Sequence, residues 1–113
     1  MVKTCNSANQ QAFQVKADDL ERELQLSKLA KALSHPARVR ILTILLRLDR
    51  LGGCLNSDLV SQLGLAQSTV SEHLRILKVA QLISAEPIPP KMCYRINRTT
   101  LNEFSHLLSA LSE

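Results

Sequence analysis

The sequence predicts a mainly helical fold with one small β-hairpin. Apolar residues recur at helical spacing through most of the chain, and strand-like alternation occurs at residues 92 to 97. Between residues 56 and 83, a short helical pattern and a longer one flank a corner that contains Gly64. Two helices joined in this way, followed by a hairpin, predict a winged helix-turn-helix with five helices, which we expect to form dimers.

The corner of the helix-turn-helix depends on Gly64. Asn56 or Ser57 can cap the first helix, and Gly64 ends it, because glycine tolerates the left-handed conformation found at helix ends. Thr69 and Glu72 have the spacing of a capping box at the start of the second helix. The apolar positions of that helix fall at i, i+4 and i+7 and predict one buried stripe, formed by Val70, Leu74 and Leu77.

The other face of the second helix is small and polar, which suits entry into the major groove of duplex DNA. Gln and Arg side chains can pair with adenine and guanine edges, and Ser can donate to a base or a phosphate. The DNA-binding residues predicted here are Gln67, Ser68, Thr69, Ser71, Glu72 and Arg75. A solvated amphipathic helix and a helical protein-interaction module are the alternatives, but an interaction module would need an apolar face in this place.

The wing follows the second helix. Residues 84 to 86 and 92 to 97 read as two strands around a proline-rich turn, and residues 54 and 55 as a short extended piece. Lys91 and Arg95 can reach DNA phosphates from the wing, although an ordinary solvated role explains these two basic residues equally well.

The first 17 residues are polar and weakly patterned, and we expect an arm with about one helical turn before a domain of residues 18 to 113. The first helix of the domain starts at Asp18 and is interrupted before Pro36. Pro36 starts the next helix, which precedes the helix-turn-helix, because proline is tolerated at the first helical position. This Pro36 helix ends at the glycine pair 52 and 53. Its outer face carries Arg38, Arg40, Arg47 and Arg50.

The last helix is predicted from about Thr99 to Leu111, with Thr99 or Thr100 as its cap. This last helix and the helix from Asp18 together contain more leucines than one small core needs. We therefore predict that these two helices form the dimer interface. Of the histidines, His35 is expected to lie next to a helix start, where it either caps the helix or is exposed to solvent, and His73 is expected to pack beside the buried stripe.

Composition narrows the class of protein. A chain of 113 residues with a net charge of +4 fits one small domain with a polyanionic partner. Two Phe, one Tyr and no Trp are too few for stacking on single-stranded bases. No apolar run reaches the ~18–20 residues of a membrane span, and no secretory signal is visible, so we expect a cytoplasmic protein with reduced thiols. No phosphate-binding loop, nucleophile elbow or zinc-protease motif indicates an enzyme.

Two segments resemble the ArsR/SmtB family of arsenic-responsive repressors. Residues 67 to 77, QSTVSEHLRIL, resemble the recognition helix of that family, and residues 32 to 42, ALSHPARVRIL, resemble its A-x-P-x-R-x-x-I-L segment. The resemblance extends over roughly residues 24 to 112. It implies a homodimeric winged-helix transcriptional repressor that an inducer releases from an operator in double-stranded DNA.

Two of the three cysteines are expected to meet. In a winged helix the short piece before the helix-turn-helix pairs with the second wing strand, and Cys54 and Cys93 lie on these two pieces. Cross-strand neighbours have Cβ atoms only ~4.5–5.5 Å apart, so the two thiols could share a soft ion or oxidise to a disulfide. A plain packing role for both cysteines is the other possibility.

The family resemblance adds a candidate inducer. Some members carry C-x-C-x-D-L before the helix-turn-helix and C-Y-C-I in the wing, and this chain retains one cysteine of each pair, Cys54 and Cys93. Other members use a cysteine of the arm, which makes Cys5 a possible third ligand. The resemblance therefore implies arsenite or antimonite as inducer, with no cofactor required for DNA binding. A redox switch that responds to peroxide or persulfide remains the alternative.

Overall fold

The computed structural model describes residues 5–56 and 59–113 and shows a winged helix-turn-helix. Within these residues the chain forms six helices and one two-stranded antiparallel hairpin. The elements are α1 (Cys5–Ala12), α2 (Ala17–Ala32), α3 (Pro36–Arg50), α4 (Leu59–Leu63), α5 (Gln67–Val79), β1 (Ile83–Ile88), β2 (Lys91–Ile96) and α6 (Arg98–Ala110). None of these helices is both long and apolar enough to cross a membrane.

The predicted number of five helices is wrong by one, because the arm contains α1. This helix has eight residues, more than the single turn expected, and buries none of them. It therefore has no apolar stripe by which its sequence pattern could have revealed it. Its composition of Ala, Gln, Asn and Ser, without Gly or Pro, nevertheless permits a helix.

Most helix boundaries follow the predicted signals. Pro36 occupies the first turn of α3, and the Nδ1 atom of His35 accepts a hydrogen bond from the Ala37 N–H at 3.0 Å, so His35 caps this helix as expected. Gly52 and Gly64 follow α3 and α4 with φ angles of 76° and 65°, in the left-handed region where glycine is favoured. The expected cap Ser57 lies outside the described residues.

Two predicted caps are wrong. Helix α5 starts at Gln67 after Ala66 and has no side-chain cap, so Thr69 already lies within the first turn and Glu72 is free to bind another residue. At α6, the side chain of Asn97 accepts from the Thr100 N–H at 3.4 Å, and Asn97 is the cap instead of either threonine. In both cases the helix begins earlier than its sequence signal.

The wing is longer than predicted and pairs with the piece that precedes the helix-turn-helix. Strands β1 and β2 are antiparallel from Ile83 opposite Ile96 to Ile88 opposite Lys91. Leu55 forms a bridge with Tyr94, in which each N–H donates to the carbonyl of the other residue at 2.9 Å. This bridge is the predicted pairing, and it fixes the start of the helix-turn-helix to the second wing strand.

The hydrophobic core lies where α3 and α5 meet the hairpin. Leu77 and Ile41 are fully buried there, and Val70 is 2% exposed. Leu74, the remaining member of the predicted stripe, is only partly buried, and His73 lies in the core beside it. The buried face of α5 is therefore centred on Val70, His73 and Leu77, and its opposite face is left to solvent.

Candidate nucleic-acid interface and cysteine pair

Helix α5 presents a continuous polar surface opposite its buried face. Gln67, Ser68, Ser71, Glu72 and Arg75 are all exposed, and at 3.6 residues per turn they share one side of the helix. Gln67 donates a hydrogen bond from Nε2 to the Ser71 hydroxyl at 3.2 Å. Thr69 is also exposed, but helical geometry places it on the flank of this surface. The surface is narrow and unobstructed by large apolar side chains.

Arg75 is held by Glu72 on this surface. The guanidinium donates from Nε to Glu72 Oε2 at 2.9 Å and from Nη2 to Oε1 at 2.6 Å. This two-point contact lowers the pKa of Glu72 and raises the pKa of Arg75. Both side chains are more than half exposed, so the pair adds little to stability. Its effect is to hold Arg75 in an ordered position, with donors that must exchange partners before they can bind a base.

A groove of about 700 Å³ separates α5 from the wing. Ser71, Arg75 and Lys78 line its helix side, and Lys91 lies at the wing side. Sequence reasoning missed Lys78, although it is seven residues after Ser71 and therefore on the same face of the helix. Three cations around one groove make it suited to a polyanion.

Arg95 lies away from this groove. Its Nη1 atom donates to the carbonyl of Gly53 at 3.3 Å, on the side of β2 that also carries Cys93. The structure thus separates the two basic residues predicted for the wing: Lys91 lines the groove at the start of β2, whereas Arg95 is bound to the loop before Leu55. A phosphate contact by Arg95 stays a prediction, and it would require this hydrogen bond to break.

The structure brings Cys54 and Cys93 together as a disulfide-bonded pair. Their Cα atoms are 5.7 Å apart, within the range that a disulfide requires. The Leu55–Tyr94 bridge brings the two pieces of chain together, and Cys54 and Cys93, which each precede one of the bridged residues, are diagonal neighbours across it. The segment between the two cysteines contains α4, α5 and β1, so the bond closes a loop around both helices of the helix-turn-helix and the first wing strand. We call these three elements, together with β2, the recognition unit.

The two sulfur positions differ in access. Cys93 is 1% exposed, whereas Cys54 is half-buried. Cys5 is exposed on α1 and is a free thiol. In the described parts of the chain, no three His, Cys, Asp or Glu side chains form a group that could hold a metal ion. A single chain therefore brings two of the three predicted cysteines together and leaves Cys5 outside the pair.

A polar cluster fixes α5 against the α2–α3 corner. Arg38, predicted to lie on the outer face of α3, is instead partly buried and donates to the Ala32 carbonyl at 2.7 Å and the Ser34 hydroxyl at 3.2 Å. Its Nη1 atom lies 3.1 Å from Nδ1 of His73, whose ring centroid is 4.4 Å from that of His35. Arginine can only donate, so His73 accepts at Nδ1 and carries its proton on Nε2.

The free energy of unfolding is expected to fall as the pH is lowered below about 6.5. Burial lowers the pKa of His73 from its ordinary value of 6.5, and the nearby charges of His35 and Arg38 act in the same direction, against a smaller opposing effect of Glu72. Below that pH the unfolded chain binds a proton at residue 73 more readily than the folded chain does. Protonation therefore favours the unfolded state, and the free energy of unfolding present at neutral pH decreases.

Urea denaturation between about pH 7.5 and pH 5 measures this effect. The variant His73→Gln should show a weaker pH dependence, and His106→Gln, at an exposed position of α6, should behave as the unmodified chain. An unchanged pH slope in His73→Gln would show that residue 73 does not take up the proton.

Comparison with known proteins identifies the family. Residues 35–85 match the model described as "Bacterial regulatory protein, arsR family". The HTH-type transcriptional regulator CmtR of Mycobacterium tuberculosis is 37% identical over 92 residues, which cover 81% of this chain and 70% of CmtR. The chain belongs to the ArsR family. It is thus a transcriptional regulator and not an enzyme, as the sequence predicted.

Two further proteins support the assignment. The transcriptional repressor SdpR of Bacillus subtilis is 31% identical over 78 residues, covering 69% of this chain and 82% of SdpR. The structure of reduced HlyU from Vibrio cholerae superposes with a TM-score of 0.65 at 25% identity, covering 81% of this chain and 90% of HlyU. These likenesses agree with the winged helix-turn-helix, and membership of a family of DNA-binding regulators implies an operator in DNA as partner.

A structure of CmtR is also among the similar proteins. The CmtR structure from Mycobacterium tuberculosis, described as a cadmium metal-sensor, has 37% identity and covers 77% of this chain and 79% of that chain, but its TM-score is 0.48. The family match over residues 35–85 includes Cys54 and stops before Cys93. Arsenite or antimonite as inducer finds no support in these relatives.

Proposed function

We propose that this ArsR-family repressor releases its operator when Cys54 and Cys93 are oxidised to a disulfide. The observation that carries the proposal is that Cys54, just before the helix-turn-helix, lies next to Cys93 on the second wing strand, with a Cα separation of 5.7 Å. In the cytoplasm, where we place the protein, thiols are kept reduced, so the pair would begin as a dithiol.

Operator binding is proposed to use the polar surface of α5. The side chains of Gln67, Ser71 and Arg75 would meet base edges in the major groove, and Lys78 and Lys91 would bind phosphates on either side of the groove. The charge and shape of the α5–wing groove support this arrangement.

The repressor is proposed to act as a homodimer. The radius of gyration is 18.8 Å, well above the ~13 Å of a compact chain of this length, and α2 packs on α6 but leaves some of its own leucines exposed. Leu20, Leu108 and Leu111 are each more than half exposed on these helices. A second copy would bury them, and two recognition helices would then read half-sites separated by ~10 bp or a multiple.

Arg75→Ala is expected to weaken operator binding roughly 5- to 150-fold, the range for loss of a base contact, without lowering the melting temperature. The reason is that Arg75 is exposed and that Glu72, its partner among the described residues, is exposed as well. Fluorescence anisotropy with a labelled operator at fixed salt measures the change.

Arg50→Ala is the matched control for Arg75→Ala, since it removes one positive charge from an exposed position at the end of α3. Equal losses of affinity in the two variants would indicate a general charge effect and contradict a specific role of Arg75.

The proposed oxidation has a defined chemistry. The thiolate of Cys54 attacks one oxygen of hydrogen peroxide, the O–O bond breaks, and the departing hydroxide takes a proton to form water. The resulting sulfenic acid is attacked by Cys93, which forms the disulfide and releases a second water. Both sulfurs are oxidised and one peroxide is reduced. Oxidation shifts the repressor toward release only as far as the disulfide favours the state with lower operator affinity.

A soft ion bound by the same two sulfurs is the second candidate for the inducer. Adjacent thiolates favour thiophilic species such as arsenite, antimonite or cadmium over zinc. CmtR is described as a cadmium sensor, which gives the ion hypothesis a relative. The separation of Cys5 from the pair favours oxidation over a three-sulfur site within one chain.

These hypotheses are distinguished by measuring how each inducer releases the operator from three variants. The variants are Cys54→Ser, Cys93→Ser and the matched control Cys5→Ser. Reduced proteins are exposed separately to peroxide, arsenite, cadmium and zinc, and DNA binding is followed by anisotropy. Peroxide is expected to release the unmodified chain and Cys5→Ser, and dithiothreitol to restore binding, whereas both variants of the pair stay bound. Release by arsenite or cadmium but not peroxide would select the ion hypothesis. A full response of the Cys54→Ser, Cys93→Ser double variant would reject both.

A further inference from the structure

A second pocket opens beside Cys54, on the side of α3 and α4. Its volume is about 350 Å³, within the size range of small-molecule sites. The floor is apolar and is built from Ile44, Leu48, Leu55 and Leu59, of which the last two belong to the hydrophobic core. Because Cys54 also lines this pocket, a bound molecule would lie next to the more accessible sulfur of the pair.

Two arginines line the same pocket. Arg40 and Arg47 are exposed and seven residues apart, so they stand on one face of α3, about two turns from each other. Two other arginines of the chain have partners: Arg38 binds His73, and Arg98 binds Asp49 at 2.6 Å. Within residues 5–56 and 59–113, neither Arg40 nor Arg47 has an acidic partner. An apolar floor with two guanidinium groups that no described acidic side chain binds is complementary to an amphipathic carboxylate.

We propose that this pocket binds an organic hydroperoxide that carries a carboxylate, of the fatty-acid hydroperoxide class, and directs its peroxide group to Cys54. The inference rests on the proposed redox function and specifies the oxidant. The carboxylate would bind Arg40 and Arg47, and the hydrocarbon chain would cover the apolar floor.

The unequal burial of the two cysteines sets the order of the reaction. Cys54 lines the pocket and is half-buried, whereas Cys93 is 1% exposed, so Cys54 is the sulfur that a bound peroxide reaches. The Cys54 thiolate attacks the terminal peroxide oxygen, the O–O bond breaks, and the alkoxide takes a proton and leaves as the hydroxy acid. Cys93 then attacks the sulfenic acid and water leaves. One hydroperoxide and two thiols give one alcohol, one disulfide and one water.

The test compares the rates at which different peroxides oxidise the reduced full-length chain in a Cys5→Ser background. The probes are linoleic acid hydroperoxide, its methyl ester and hydrogen peroxide, each below the concentration at which the lipid aggregates. Loss of thiols is measured without DNA. The acid and the ester differ only in the carboxylate, so we expect the acid to react at least about tenfold faster, the effect of one charge-assisted contact.

The double variant Arg40→Gln, Arg47→Gln should remove the preference for the acid and leave the rate with hydrogen peroxide unchanged. Arg50→Gln, outside the pocket, should retain the preference. Equal rates for acid and ester in the unmodified chain would overturn the proposal, and this comparison does not depend on any variant folding.

Two further outcomes separate this inference from its alternatives. The first outcome concerns operator binding by the reduced Arg40→Gln, Arg47→Gln variant. If its operator affinity falls and depends less steeply on salt concentration, the two arginines bind DNA phosphates, and the pocket proposal is overturned. If the acid oxidises the pair faster than the ester but oxidation does not release the operator, the pocket is supported and the proposed redox function fails.

Discussion

Leu77→Ala is expected to lower the free energy of unfolding by about 2–5 kcal/mol, the range found when a fully buried leucine is truncated. Leu77 has no exposed surface and belongs to the core cluster that joins α3, α5 and the hairpin. Its loss would leave a cavity beneath the recognition helix, because its fully buried neighbours Ile41 and Leu45 are held in packed helices. Urea denaturation at one fixed protein concentration measures the effect, since dimerisation would make stability depend on concentration.

Two residues of the same helix serve as controls for Leu77→Ala. Val79 is 72% exposed, so Val79→Ala should change stability by less than about 0.5 kcal/mol. Leu74 is only partly buried, and Leu74→Ala should fall between the two. Equal effects of Leu77→Ala and Val79→Ala would contradict the assignment of the buried face of α5.

The recognition unit could be predicted because several independent signals agree there. Gly64 marks the end of α4, the apolar residues of α5 repeat with helical period, and residues 92 to 97 alternate as a strand does. Each signal reflects local backbone preference or burial on one face, which depends on near neighbours in sequence. The meeting of Cys54 with Cys93 also followed, since the fold itself dictates which two pieces of chain pair.

Features that depend on a specific distant partner could not be predicted. Arg38 looked like a surface residue because arginines on a helix usually face water, but the Ala32 carbonyl and His73 provide acceptors that allow it to turn inward. Arg95 similarly turns to the Gly53 carbonyl. Helix α1 escaped notice for another reason: without buried residues it leaves no periodic pattern.

The inducer belongs to the same class of unpredictable features. The strand pairing predicted from the sequence places two sulfurs near each other. Because oxidation and ion binding both require two neighbouring sulfurs, this arrangement does not distinguish them. What differs is the surroundings of the pair: the number of further ligands, the charge of the adjacent pocket and the exposure of each sulfur. These properties come largely from α3 and α4, which contribute Arg40, Arg47 and most of the apolar floor.

Arg38→Ala is expected to destabilise the fold by at least about 1.5–3 kcal/mol, the contribution of a single hydrogen bond from a charged group. Arg38 makes three such contacts, to the Ala32 carbonyl, the Ser34 hydroxyl and Nδ1 of His73. Nε2 of His73 already lacks a partner among the described residues, so losing Arg38 would leave both nitrogens of this buried ring without one.

The position of the Arg38 contacts predicts a second consequence. His73 is buried on α5, on the side opposite the surface proposed to bind DNA, and Arg38 connects it to the end of α2, which packs on α6. Arg38→Ala should therefore weaken operator binding as well as stability, whereas Arg75→Ala affects binding alone. Arg40→Ala is the matched control for stability, because Arg40 is an exposed arginine two residues further along α3. If Arg38→Ala and Arg40→Ala unfold at the same urea concentration, Arg38 does not connect the recognition helix to the α2–α3 corner.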